Sequence, residues 1–340
     1  MNRKIWIEKL RVFATMAVIL LHVVGGVYVN EPAEIPQYRR MFDLSLLIAV
    51  SDWAVPVFLM ITGYLLLDEK KNLSNGKLTG YIKRMIYVLL TFGFGYCLIE
   101  SFVNYRNEGV GKILGDAIIN LITGNSWAHM WYVYMLIGIY AVTPIIKTFV
   151  NQASDKLLIN ILIMFFVMTI VLPTVNYCTG IKISRLYTFG APYIFYYIFG
   201  YSVRRINIAA KWWWILGTAS FISMIIKANI NLNYKNSVFE YDNVCVALIA
   251  MSIFTLSYMY SQNNDKQENR NKLIIYLSKR SFCIYLVHAF FLNLLNKGFD
   301  MYPTDLPILV GEVVFALTAL VGSLVVYEIL VRLPFMKNII

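Results

Sequence analysis

Charge is what this chain is short of. Only 14% of its 340 residues are Asp, Glu, Lys or Arg, against 59% hydrophobic residues and a mean hydropathy of +0.62. Soluble globular domains carry about 25% charged residues, so this balance excludes one. The net charge of +11 does not point to nucleic acid either, because no basic block is long enough to form a groove. Cysteine is equally scarce. Cys97, Cys178, Cys245 and Cys283 show no C-x-x-C spacing, so neither a disulfide framework nor a metal site is read from them. Long polar tracts are almost absent; the most polar run, SQNNDKQENRNK at 261–272, reads as a flexible cytoplasmic linker because apolar segments resume after it. With no internal repeat, low-complexity tract or soluble domain in sight, residues 1–340 read as a single membrane domain.

What the chain has instead is long apolar runs of the length that crosses a hydrocarbon core. Ten are counted, over 6–28, 46–67, 81–103, 131–150, 157–176, 189–206, 211–228, 242–261, 276–297 and 307–331. The expected fold is therefore all-α: a polytopic integral membrane helical bundle of about ten transmembrane helices, multi-pass in the cell membrane. The first run follows basic residues but is long and lacks a small-residue cleavage pattern, so it is read as a retained helix. Alternate connections hold 21 and 9 of the 30 Lys and Arg residues, the richer set including both ends of the chain. Cytoplasmic loops collect positive charge, so both termini are expected to be cytoplasmic. Trp6 and Trp212–Trp214 then fall at inner ends and Trp127 and Trp131 at an outer end, as interfacial aromatics do; only Trp53 falls deeper. In one outer connection Val110, Ile113, Leu114, Ala117, Ile118, Leu121 and Ile122 repeat at helical spacing. They describe a short amphipathic helix in the outer leaflet or, more plainly, one packed on the bundle.

The first run, Glu8 to Val24, contains Arg11 and His22. Eleven residues bring the two onto one helix face, about 16 Å apart along the axis. Ionisable groups inside a membrane are read as functional by default. His288, beside Tyr285 in SFCIYLVHAFFL, lies eleven residues into its own run, at a depth matching that of His22. The plainer reading is that each histidine bonds a neighbouring helix. Arg11, Lys83, Arg84, Arg204, Arg205, Lys279 and Arg280 sit at the inner ends of four runs. If those ends converge they form a cationic mouth suited to phosphate, though the charge bias alone places many of them there. His129 and Trp131 open the fourth run as substrate contacts or interfacial anchors, and Asp52, Glu100 and Glu312 lie toward outer ends, where a carboxylate binds a sugar hydroxyl or pairs with a helix neighbour.

Taken together these segments resemble the membrane acyltransferase family 3, multispanning proteins that acylate sugars, peptidoglycan and other envelope molecules. The resemblance rests on Arg11, ten residues, then His22; on PVFLMITGYLL from Pro56 to Leu67; on Lys83 and Arg84; on HMWYV from His129; and on SFCIYLVH from Ser281 to His288. Thr62 stands where the family pattern often has Ser, and keeps its hydroxyl. The resemblance implies an acyl-coenzyme A donor, reaching the site from the cytoplasm, and His22 as the catalytic residue. Acyl-CoA, taken as acetyl-CoA, is expected as donor substrate, with no bound cofactor.

On that basis the expected activity is O-acyl transfer to a hydroxyl of an envelope glycan or lipid-linked sugar. Imidazole, with an ordinary pKa near 6.5, suits removal of the hydroxyl proton; His22 acts as that base or as a transient acyl carrier. Arg11 holds donor phosphate or orients His22. Arg84, Arg205, Arg280 and Lys83 are the expected donor-binding residues, with His288, Tyr285, His129, Trp131, Glu8, Thr62 and Asp52 as substrate or supporting residues. The partners expected are the lipid bilayer, acyl-CoA and the glycan acceptor, with no nucleic acid. The rival reading is a membrane transporter or translocating module without covalent chemistry, of the kind associated with amino-acid racemases. An interaction subunit serving a partner enzyme is a third.

Overall fold

The computed structural model describes residues 4–30, 48–180, 192–230, 241–264, 272–307 and 309–340. Most of the 261–272 linker lies outside the described residues. Helix accounts for 83% and no strand occurs among the described residues, so the all-α class stands. In chain order the helices are α1 (Ile5–Asn30), α2 (Ile48–Ser51), α3 (Ala54–Leu66), α4 (Asn75–Val88), α5 (Phe94–Tyr105), α6 (Val110–Thr123), α7 (Trp131–Gln152) and α8 (Asp155–Phe166). There follow α9 (Leu172–Thr179), α10 (Tyr193–Ser202), α11 (Ala210–Ile230), α12 (Val244–Asn264), α13 (Lys272–Asn293) and α14 (Val310–Leu330).

Seven helical stretches among the described residues are long and apolar enough to cross a membrane. The expectation of ten differs in identifiable places. The first run, which forms α1, is not one of the seven; the sixth yields only the 10-residue α10, and the apolar part of the seventh, Ala210–Ile226, is a shorter helix. The membrane reading itself draws on what the helices leave bare. On α14, Val313, Leu317, Val321, Val325 and Ile329 follow one another at i, i+4 and are each more than half exposed. In water such a stripe would be a liability, whereas acyl chains solvate it.

The chain divides into two compact units, one of residues 1–68 and 149–324, the other of 69–148 and 325–340. In the first, α3 and α10 make the closest approach. Gly63 and Gly200 meet the backbones of Tyr197 and Met60, and a Cβ on either would lie 1.8 Å from the Tyr197 carbonyl oxygen or 2.0 Å from that of Met60. Near the C-terminal end of α3, Tyr64 is edge-on to Trp6 of α1 at 5.1 Å, and Phe254 and Tyr258 of α12 complete an aromatic knot. Arg204 covers the Tyr64 ring at 3.9 Å and pairs with Asp68 at 2.9 Å, while Lys4 donates to the Tyr64 hydroxyl at 2.5 Å. This fixes the entry of α1 into the bundle.

In the second unit α6 forms where the apolar spacing put it and ends on Gly124, whose φ of 80° only glycine adopts readily. Its seven apolar positions do not act as one stripe. Ala117 is buried, with Ile113 and Leu121 beside it half-buried, while Val110 and Ile122 stand 70% and 77% exposed. The helix packs on α5, fastened by Ser101, whose hydroxyl donates to Asp116 at 2.7 Å.

Candidate active site

The elements that carry the candidate residues are α1 and α13, which pack side by side. Near their N-terminal ends the Ser278 hydroxyl donates to the buried Glu8 carboxylate, and further along both chains the His22 and His288 rings meet edge to face, 4.8 Å between centroids. The two helices therefore run in the same direction. Ile19 and Val23 from α1 and Ile284 and Leu292 from α13 share one buried cluster with Phe315 and Ala319 of α14. Apolar side chains thus bracket the imidazoles before and after them along each helix, and set their spacing.

Each ring is tied to its own helix. His22 Nδ1 lies 2.8 Å from the Val18 carbonyl; His288 Nδ1 lies 2.7 Å from the Tyr285 carbonyl and 3.1 Å from that of Ile284. A carbonyl oxygen only accepts, so in both neutral rings the Nδ1 carries the hydrogen and the Nε2 carries the basic lone pair. His22 is half-buried and His288 is fully buried. Tyr285 lies 6.1 Å from the His288 ring, centroid to centroid, and stacks on Phe282.

Arg11 lies toward the Glu8 end of α1. Its Nη1 is 3.9 Å from a Glu8 oxygen, with about a third of the side chain exposed. Thr15, one turn on, donates to the Arg11 carbonyl at 2.7 Å. Glu8 thus accepts from Ser278 on one side and faces Arg11 on the other, a polar joint at the start of the α1 and α13 interface. Sequence reasoning named Glu8 but not Ser278. The signal was available only in pairs, since a serine in an apolar run has no period of its own.

The remaining residues are placed as follows. Thr62 returns its hydroxyl to the Phe58 carbonyl at 2.8 Å, one turn back on α3. Asp52 is buried in the turn between α2 and α3, 1% exposed. Arg205 is engaged as a clamp: it pairs with Asp155 at the start of α8 and donates to the Val150 and Ala153 carbonyls at 2.9 and 2.6 Å, tying off the end of α7. Arg280 rests on the Tyr276 ring at 3.4 Å and donates to the Tyr276 carbonyl at 3.1 Å. Arg84 and Lys83 belong to the second unit, where Lys83 is exposed and Arg84 Nε donates to the Ile339 carbonyl at 2.8 Å. His129, also in that unit, is 2% exposed and edge-on to Tyr96, which stacks on Trp127 at 4.3 Å. Burial at that level makes His129 part of an aromatic cluster, not a surface anchor. Trp131 beside it is half-buried and packs edge-on to Tyr132.

A family model described as an acyltransferase domain, that of acyltransferase family 3, matches residues 4–328. No curated protein and no solved structure matches the chain.

Proposed function

The chain belongs to the acyltransferase family 3, and from that premise we propose that it moves an acyl group, acetyl in the first instance, from cytoplasmic acyl-CoA to a hydroxyl of an envelope glycan or lipid-linked sugar. The observation that carries the proposal is the imidazole pair. With Nδ1 of His22 held by the Val18 carbonyl, the Nε2 lone pair is fixed in direction at membrane depth, where a general base needs only a substrate within hydrogen-bond reach.

The step balances without any further reagent. The His22 Nε2 takes the acceptor hydroxyl proton as the oxygen attacks the thioester carbonyl. A carbon–oxygen bond forms, the carbon–sulfur bond breaks, and the coenzyme A thiolate recovers the proton from the imidazolium. His288 packs its ring against His22 and holds the base's plane. Arg11 and Arg280, near the starts of α1 and α13, supply the cations for donor phosphates. Arg205 is already committed to Asp155 and two carbonyls, so its part is to hold the α7 and α8 connection.

The test is purified protein in vesicles given radiolabelled acetyl-CoA and hydroxyl acceptors. Label should appear as a base-labile ester; uptake of solute without ester formation would move the assignment to a transporter. Arg280→Ala is expected to weaken coenzyme A binding about tenfold or more, since a charge-assisted bond contributes about 1.5–3 kcal/mol. Arg205→Ala should instead lower the yield of folded protein. Equal coenzyme A affinity in parent and Arg280→Ala, measured by calorimetry, would remove Arg280 from the donor site.

Orientation gives a separate test. The charge asymmetry of 21 to 9 supports a cytoplasmic position for both termini and the 262–272 segment. In a background cleared of the four native cysteines, Asn269→Cys should stay unmodified by a membrane-impermeant maleimide in intact cells and react after permeabilisation. Modification before permeabilisation would invert the topology.

A further inference from the structure

Asp52 holds a carboxylate oxygen without a protein partner. The residue is 1% exposed, and its Oδ2 finds no hydrogen-bond donor among the described residues. Leaving a carboxyl oxygen buried without a hydrogen-bond partner is expensive. Native structures rarely hold such a group without a reason.

Its setting supplies one. Asp52 occupies a break in a membrane-spanning stretch: α2 ends at Ser51, α3 begins at Ala54, and the two residues between them form a turn. No side chain caps the start of α3, so its first amides direct their partial positive charge into this turn. Interrupted backbone at membrane depth is tolerated where it is buried in protein or lines a cavity. The depth matches the imidazoles. Tyr64 of α3 packs against Trp6 of α1. Twelve residues back from Tyr64 is Asp52, and twelve forward from Trp6 is Val18, each about 18 Å along its helix. Val18 holds His22 by its carbonyl, so Asp52 lies within about one helical turn of the base in depth.

We propose that Asp52 binds a hydroxyl of the acceptor, and so makes the site selective for polyhydroxylated acceptors over simple alcohols. This rests on the acyl-transfer reading above. A neutral donor suits the place better than a cation, because the uncapped α3 amides already present positive charge there. Tyr241 adds the complementary group. The Tyr196 hydroxyl donates to the Tyr241 carbonyl at 2.5 Å and fixes the turn. Burial, and after it the Asp52 charge, pushes the Tyr241 phenol above its ordinary value, so it remains an O–H donor. A sugar with adjacent hydroxyls would donate one hydrogen bond to Asp52 and accept one from Tyr241.

The experiment measures acetyl transfer from labelled acetyl-CoA to decyl β-glucoside, decyl β-N-acetylglucosaminide and 1-decanol in phosphatidylethanolamine and phosphatidylglycerol vesicles. Asp52→Asn keeps the shape and replaces one carboxyl oxygen with an amide nitrogen that only donates. It should raise KM for the glycosides about tenfold or more, leaving KM for acetyl-CoA and the rate with 1-decanol unchanged. If Asp52→Asn does not accumulate as folded protein, Tyr241→Phe carries the test on the same glycoside-to-decanol ratio. An unchanged ratio overturns the proposal, as does a parallel loss with all three acceptors, which marks a structural carboxylate. A parent rate that requires sodium, lost in Asp52→Asn, assigns the residue to a cation and overturns it too. A parent that acetylates none of the three removes the acyl-transfer reading first, and this one with it.

Discussion

His22→Ala is expected to lower acyl transfer by about 100 to 10,000-fold, the usual contribution of a general base, with coenzyme A affinity unchanged. The separation follows from the geometry of α1. Arg11, the cation on the same helix, lies eleven residues away, about 16 Å along the axis, so removing the imidazole leaves the donor's phosphate contacts in place. Arg11→Ala should do the reverse and weaken donor binding. Stability should survive the loss of His22. The Val18 carbonyl that holds Nδ1 sits one turn back on the same helix, so it keeps its backbone bond when the ring is gone. His22 is also only half-buried, so the cavity left behind is partly filled by its surroundings. Thermal unfolding measured beside turnover distinguishes the outcomes. A folded His22→Ala protein that acylates at the parent rate ends the catalytic assignment, and one that binds donor poorly as well would place His22 in the donor site.

How much of this was legible beforehand varies by residue, for physical reasons. The similar depth of His22 and His288 follows from counting, because the rise per residue is fixed and His22 lies eleven residues past Arg11 as His288 does past Leu277. The rings do meet, at 4.8 Å. The membrane class was legible from composition alone, since scarce charge leaves no other solvent for the chain. The number of spans was not. Apolar runs count as spans only if the helix continues, and the run over 189–206 gives a helix of 10 residues. The fate of the arginines was hidden too. Arg204 and Arg205 are neighbours in sequence, yet one covers Tyr64 and the other ties Asp155 to the end of α7. Positive-inside bias treats them alike, because it records charge and not partners. Asp52 shows the opposite failure: its type and approximate depth were visible, but the lack of any described donor to its Oδ2 depends on what the fold leaves out.

Gly63→Ala is expected to abolish accumulation of the folded protein, and Gly200→Ala to do the same, before any effect on chemistry can be read. In a bilayer, helices gain little from hiding apolar surface from one another, so close backbone approach at small residues carries much of their association. Here α3 and α10 approach until Gly63 faces the Tyr197 backbone and Gly200 faces that of Met60. A methyl group at Gly63 would lie 1.8 Å from a carbonyl oxygen and one at Gly200 2.0 Å from another, and neither obstacle is a side chain that can turn aside. The helices would have to separate by more than an ångström along their whole contact. That movement would disturb Tyr64, adjacent to Gly63, and with it the Trp6 contact that seats α1. Overpacking in soluble cores typically costs about 1–3 kcal/mol and sometimes more; a backbone clash at this distance belongs at the top of that range. Gly25 is the internal control, because a Cβ there meets nothing within 4 Å. Gly25→Ala should fold as the parent does. Detergent-solubilised yield and size-exclusion profile read all three variants, and a monodisperse Gly63→Ala protein at parent yield would show that α3 and α10 do not pack through this glycine.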